Sequence, residues 1–263
     1  MKLFVALAAI LATAVAAPLD GRITHGEKAR EGQFPYQVGL SLNIGSSGAW
    51  CGGTLISDRW IVTAAHCTDN ADSATVFVGA IDIKKEEPGQ QRIHVEKKDI
   101  IVHEHWDPSR LINDISLIKL PAKLEFNDRV RPATLPKKDG RYSTYEGEKA
   151  IASGWGLDSD KASAVSPVLL YVEMPIMKPS TCNTYWAGLI TDDVICMSTK
   201  GGKSTCSGDS GGPLVHKDRD VNYLIGATSF GLSLGCEKGY PAVFTRITAY
   251  LDWIEKHSGV VNK

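Results

Sequence analysis

The chain has 263 residues, of which 43% are hydrophobic and 22% charged, with a formal net charge of −1. That is enough apolar material for the buried core of one or two domains, and it excludes an intrinsically disordered chain. A balance so near neutrality gives no general attraction to nucleic acid, and no nucleic-acid partner is expected.

At the start, Lys2 precedes an apolar run from Leu3 to Ala16, with small residues at Ala14 and Ala16. This pattern predicts a secretory signal peptide over residues 1–16. The run is shorter than a membrane-spanning helix needs, and no later stretch is longer, so no membrane partner is expected and the location is secreted, extracellular. The next six residues, Ala17 to Arg22, form a polar stub ending at a basic residue, which reads as a pro-segment over 17–22. Removing residues 1–22 deletes Lys2, Arg22 and Asp20, which leaves 27 basic against 29 acidic groups and a net charge of −2.

From Trp50 to Cys67, two apolar runs flank the polar Ser57-Asp58-Arg59, a hairpin signal. The second run ends at His66, beside Cys67. His103-Glu104-His105 would put two histidines on one face of a strand; with no third ligand nearby, the pair reads as surface rather than as a metal site. Asp114 to Leu120 alternates polar with apolar and predicts a half-buried strand. Asp114 carries the sole charge between Leu111 and Ile118. A carboxylate bordered by apolar residues is costly unless paired, which invites a histidine partner.

The polar stretch from Asn127 to Lys138, with Pro132 and Pro136, reads as a seam between two units. Pro213–Val215 and Tyr223–Ser229 flank Lys217-Asp218-Arg219-Asp220, a second hairpin signal. At the end, Ile247, Leu251 and Ile254 recur at helical spacing, which predicts a helix over 247–258. Many short strands with frequent turn residues predict an all-β sandwich or barrel. The length fits two barrels, residues 23–128 and 129–246.

Six cysteines stand at positions 51, 67, 182, 196, 206 and 236. An even count in a secreted chain predicts disulfides, and composition leaves their pairing open. No C-x-x-C pair occurs, so no zinc site is expected.

The run Ser204 to Val215, STCSGDSGGPLV, frames Ser210 between glycines. A serine hydroxyl is a weak nucleophile and needs a base, which itself needs an orienting group. Gly208-Asp209-Ser210-Gly211-Gly212 satisfies the G-x-S-x-G pattern of α/β-hydrolases. That class places its acid and histidine after the serine, here Asp252 and His257, and needs alternating strands and helices that the chain lacks. Thr63-Ala64-Ala65-His66-Cys67, Asn113-Asp114-Ile115-Ser116-Leu117 and the Ser210 run instead occur in the order His, Asp, Ser. Together with Trp50-Cys51-Gly52-Gly53 and Ser153-Gly154-Trp155-Gly156, they resemble the chymotrypsin family of serine proteases, from Ile23 to about Val260.

That resemblance implies two antiparallel six-stranded β-barrels with a C-terminal α-helix. It implies catalytic roles for His66, Asp114 and Ser210, and an oxyanion hole from the amides of Gly208 and Ser210. Cleavage after Arg22 by a trypsin-like enzyme would free the α-ammonium of Ile23 to meet Asp209. The implied disulfides are Cys51–Cys67, Cys182–Cys196 and Cys206–Cys236. The implied substrate pocket has Ser204 at its base and Gly231 and Ala242 on its walls, with Ser229 and Phe230 in the strand that pairs with substrate. An uncharged Ser204 and an open Gly231 imply cleavage after Phe, Tyr or Leu rather than after Arg, with an elastase-like preference as the alternative. Ala80 stands where the family's calcium loop would begin, so no metal is expected, and the family needs no cofactor. The closest resemblance is to arthropod digestive chymotrypsins and serine collagenases, implying a monomeric gut enzyme, with collagen as a further substrate. Partners would be protein and peptide substrates, the activating protease and protein protease inhibitors. A non-catalytic homologue with a binding or regulatory role is the remaining reading.

Overall fold

The computed structural model describes residues 23–263. The expected signal peptide and the pro-segment with Arg22 lie outside the described residues.

In chain order the elements are β1 (Glu27–Lys28), β2 (Gln37–Ile44), β3 (Ser47–Leu55), β4 (Trp60–Thr63), a one-turn helix α1 (Ala65–Thr68), β5 (Ser73–Val78), β6 (Gln91–Glu96), β7 (Ile100–Val102) and β8 (Ser116–Lys119). After a long irregular segment come β9 (Lys149–Gly154), β10 (Leu170–Pro175), α2 (Pro179–Trp186), β11 (Val194–Met197), β12 (Pro213–Asp218), β13 (Val221–Phe230), β14 (Ala242–Arg246) and α3 (Leu251–Ser258). All pairings are antiparallel within two seven-stranded sheets, ordered β6-β5-β2-β3-β4-β8-β7 and β1-β10-β9-β12-β13-β14-β11.

Both sheets curl. The two edge strands of the first, β6 and β7, are consecutive in the chain and joined by the single 3-10 turn Lys97–Asp99. A sheet whose opposite edges are three residues apart must roll back on itself. Counting β6 and β7 as one interrupted strand gives six around the roll. The second sheet closes through β10 and β11, where Met177 N donates to Cys196 O (2.9 Å) and Ser198 N to Pro175 O (2.9 Å). That ring is β9 to β14, and β1 lies outside it on β10. The expected six-stranded count therefore holds for each ring, and the extra run in each sheet is an interruption or an addition.

The strand period of two builds each interior. Val38, Leu40 and Leu42 of β2 point inward with Val76, Val78, Ile61 and Ile118. Leu170, Val172 and Met174 of β10 do so with Leu214, Ile225 and Phe244. Each fully buried side chain of this size contributes about 1.5–3 kcal/mol. A third cluster lies between the sheets and under α3, containing Trp155, Ile115, Leu117, Val215, Leu224, Trp253 and Ile254.

Three expectations need correction. The segment from Ile23 to Lys28 belongs to the second sheet, because β1 pairs with β10 and Ile23 is buried in that sheet's core. The predicted helix over 247–258 is broken: Ile247–Ala249 is a 3-10 turn, Tyr250 leaves helical geometry, and α3 begins at Leu251. The strand expected from Asp114 to Leu120 is shorter, and Ser116, Leu117 and Ile118 are all buried, since β8 lies between β4 and β7.

Candidate active site

The site forms where the two sheets face each other. His66 does not end a strand, as its apolar run suggested; it sits in α1, one turn after β4. The disulfide Cys51–Cys67 ties α1 to β3. Asp114 precedes β8 and is 2% exposed. The His66 amide donates to Asp114 Oδ1 (2.9 Å), and His66 Nδ1 lies 2.8 Å from Asp114 Oδ2. Ser229 Oγ donates to the same Oδ2 (2.5 Å), and Thr245 Oγ1 donates to the Asp114 carbonyl (2.7 Å). The buried carboxylate thus has donors from both sheets, which is what such a group requires. Ser229, expected to pair with substrate, also buttresses Asp114.

Burial of His66 disfavours its charged form. The hydrogen bond to Asp114 and that residue's charge, with a contribution from Asp69, outweigh it and raise the His66 pKa above the ordinary 6.5. A carboxylate on Nδ1 leaves Nε2 as the ring's basic atom.

Ser210 lies across the sheet interface. Its carbonyl accepts from Gly52 N (2.7 Å) and lies 3.6 Å from Cys67 Sγ, which is 3.8 Å from His66 Nε2. One sulfur of the Cys51–Cys67 disulfide therefore contacts both the Ser210 carbonyl and the His66 ring. Around Ser210 the amides of Cys206, Asp209, Gly211 and Gly212 all have protein acceptors. Among the described residues, those of Ser207, Gly208 and Ser210 have none. Gly208 holds φ +96°, and a Cβ there would lie 2.7 Å from Val165 Cγ1, so glycine is required for this backbone path. Unbonded amides beside a serine can receive a developing oxyanion.

Asp209 is 0% exposed. Its carboxylate accepts from Gly156 N (2.7 Å) and Cys206 N (2.9 Å). Burial nonetheless pushes its pKa up to about 7, against the lowering effect of these two bonds. Ile23 is likewise 0% exposed. Thr24 bridges to Ser204 and donates from Oγ1 to Gly202 O (2.6 Å).

Next to Ser210 opens a cavity of about 160 Å³, lined by Ser204, Ser229, Phe230, Gly231, Tyr240 and the Cys206–Cys236 disulfide, among others. No lining residue carries a charge. A Cβ at Gly231 would meet nothing within 4 Å, so the mouth is open there. Ala242 does not line the cavity: as the first residue of β14 it pairs with Met197, and the pleat turns its methyl into the core beside Ile23. Tyr240, two residues earlier in the loop, takes its place. Behind the wall, Trp186 stacks edge-on to Phe230 (5.2 Å) and Tyr240 (5.8 Å), and Cys182–Cys196 secures the helix that carries it. Sequence reading missed Tyr240, which lies in a loop without periodicity.

In the 79–91 segment, the Glu87 carboxylate accepts from the amides of Ile81 and Asp82, and Arg129 lies 3.9 Å away. Among the described residues one cluster has metal-like spacing, Asp160 with Cys206 and Cys236, but both sulfurs are spent in a disulfide. His103 packs on Trp253 (5.1 Å) and His105 (6.0 Å) rather than joining a ligand set. Asp252 and His257 lie on α3, where Asp252 pairs with Lys138 and His257 with Glu104.

The family model described as trypsin matches residues 23–254. Serine protease 1 of Drosophila melanogaster is 46% identical over 243 residues, covering 92% of this chain and 88% of that protein. Brachyurin of Leptuca pugilator is 39% identical over 238 residues, covering 90% of this chain and 99% of its own. A solved structure of HL collagenase superimposes with a TM-score of 0.82 at 37% identity, covering 90% of this chain and 99% of that one.

Proposed function

The chain belongs to the trypsin family and is a serine protease, and on that premise we propose that it is a secreted digestive endopeptidase, made as a zymogen, that cuts after large apolar and aromatic residues. The observation that carries the specificity is the uncharged cavity of about 160 Å³ beside Ser210. A cavity of about 150 Å³ is enough to take up benzene. Burying an aromatic or leucine side chain there is worth about 2–3 kcal/mol. Without a carboxylate in the lining, an arginine or lysine would leave its charge unpaired.

Ser210 Oγ attacks the substrate carbonyl while His66 Nε2 takes its proton and passes it to the leaving amine. Asp114 holds the ring by Nδ1 and stabilises the imidazolium. The amides of Gly208 and Ser210 receive the oxyanion. Cleavage after Arg22 supplies the ammonium of Ile23 to Asp209. The raised pKa of that buried carboxyl supports this, since it marks a charge without a cation. Three disulfides suit an extracellular protein.

The test is cleavage of peptide anilides bearing Phe, Leu, Ala or Arg before the bond, after activation by trypsin and its removal. Phe and Leu should be cut fastest, and a Ser210→Ala control should be inert. Preference for Arg would sink the pocket reading. Inertness towards every peptide, with Ile23 confirmed as the new N-terminus, would leave the non-catalytic reading. Native collagen belongs in the same panel, because HL collagenase is among the similar structures.

A further inference from the structure

We propose that Asp160 is a positioning residue that sets the outer wall of the substrate pocket, and with it the preference for a large side chain before the cut; this rests on the protease reading above. The wall from Leu232 to Cys236 is an exposed loop, in which Leu234 is 80% exposed. A segment with so little buried surface has small intrinsic stability. The disulfide Cys206–Cys236 anchors it to the opposite wall at one point.

Asp160 supplies the second anchor. It lies between β9 and β10, its side chain 18% exposed. Oδ1 accepts from Cys236 N (2.6 Å) and Glu237 N (3.3 Å), and Oδ2 lies 3.7 Å from Lys238 Nζ. One carboxylate thus engages Cys236, the last residue of the wall, and the two residues that follow it. The bond is returned, because Asp160 N donates to Glu237 Oε2 (2.8 Å). Glu237 Oε1 lies 3.7 Å from His25 Nδ1, so the junction also reaches the segment that follows Ile23.

Gly235 is shaped to this contact. It holds φ +139°, and a Cβ would lie 2.8 Å from Asp160 Cγ and 3.0 Å from Oδ1. The loop therefore closes over the carboxylate where a side chain would push it away. Because Gly235 and Cys236 also line the cavity, their path fixes the room left for the substrate side chain. Asp160 itself is not part of that lining and acts through the loop.

The experiment compares activated wild type, Asp160→Ala and Asp160→Asn on anilides with Phe, Leu or Ala before the bond. Burst titration with a small acylating ester and thermal melting run alongside. Losing bonds to a charged acceptor should raise the KM for the Phe peptide about tenfold in Asp160→Ala. Its kcat and burst should stay within about twofold, and the Phe-to-Ala ratio in kcat/KM should narrow. Asp160→Asn, whose amide oxygen still accepts from Cys236 and Glu237, should recover most of the loss. Unchanged KM and ratio in Asp160→Ala would overturn the proposal. So would an equal loss of kcat on all three peptides with a smaller burst, which marks general damage. If Asp160→Ala does not fold, Gly235→Ala carries the test: a raised KM for Phe supports the proposal, and a wild-type KM overturns it. A wild type inert towards every peptide would instead remove the protease reading beneath it.

Discussion

Asp209 is a fully buried carboxyl held by two amides, with no ammonium opposite it among the described residues. Its pKa in the fold is about 7, against an ordinary 3.8. Between those values the folded chain keeps a proton that the unfolded chain releases. Stability from this group is therefore complete below pH 3.8, declines as pH rises, and is gone just above 7. At 1.36 kcal/mol per unit, the cost is about 4 kcal/mol, a large share of the 5–15 kcal/mol typical of a domain. The perturbation is Asp209→Asn, read by thermal melting of the uncut chain from pH 5 to 8. About 2.6 kcal/mol of that cost falls between pH 5 and 8, so wild type should fall relative to the variant by about 5–8 °C over that range. The variant's amide nitrogen faces a donor and adds an offset, but that offset does not depend on pH, so the slope is the readout. After cleavage the order should reverse, with wild type the more stable. Parallel pH curves for the two uncut proteins would refute the reasoning, as would an unchanged order after cleavage.

Gly208→Ala should lower kcat by about 10²–10³ while KM moves little, because the new methyl collides with Val165 and displaces an oxyanion donor; steady-state kinetics on a Phe anilide would decide, and a wild-type kcat would remove Gly208 from the oxyanion hole. His66 must be neutral to act as a base and its pKa is raised, so the acid limb of kcat/KM should have its midpoint above 6.5. The same raised pKa stabilises the fold below pH 6.5, a contribution lost as pH rises through the folded value. A pH–rate profile with a midpoint at or below 6.5 would show that Asp114 does not outweigh burial.

What the sequence made legible were features with short-range causes. The hairpin around Ser57–Arg59 appears as β3 and β4, and the one around Lys217–Asp220 as β12 and β13, with the turn tightened to Arg219 and Asp220. Motif order brought His66 and Asp114 to one place in the reading, and the structure puts them 2.8 Å apart. α2 went unseen because Pro179–Trp186 has no apolar face: Cys182 is its sole buried residue, so periodicity carried no signal. The pairing of β1 with β10 spans more than 140 residues, and nothing local in Glu27–Lys28 announces it. Ser229 reads as one more strand residue until the fold sets it on Asp114. Asp160 reads as an ordinary loop acid, and its partners lie 76 to 78 positions away.

These long-range contacts explain why neither sheet holds a site alone. His66 and Asp114 come from the first sheet, Ser210 and the free amides from the second. The bonds that align them cross the interface: Gly52 N to Ser210 O, Ser229 Oγ and Thr245 Oγ1 to Asp114, and Ser153 Oγ to Gln37 Oε1 (2.6 Å). The two ends of the described chain secure different parts of this arrangement. Ile23 enters the core of the second sheet near the pocket. From the other end, Tyr250 donates to Asn113 Oδ1 (3.1 Å), beside Asp114, and Trp253 Nε1 to Glu104 Oε2 (2.7 Å). A change that loosens the interface without touching His66, Asp114 or Ser210, the three side chains proposed as catalytic, should therefore reduce kcat through their alignment. Residues such as Gln37 and Tyr250, outside the cavity lining, would belong to the proposed catalytic geometry in that indirect sense. Asp160 and the Leu232–Cys236 loop make none of the bonds that hold Asp114, which come from His66, Ser229 and Thr245, so changes at Asp160 and Gly235 should bear on specificity while the His66–Asp114 pair stays in place.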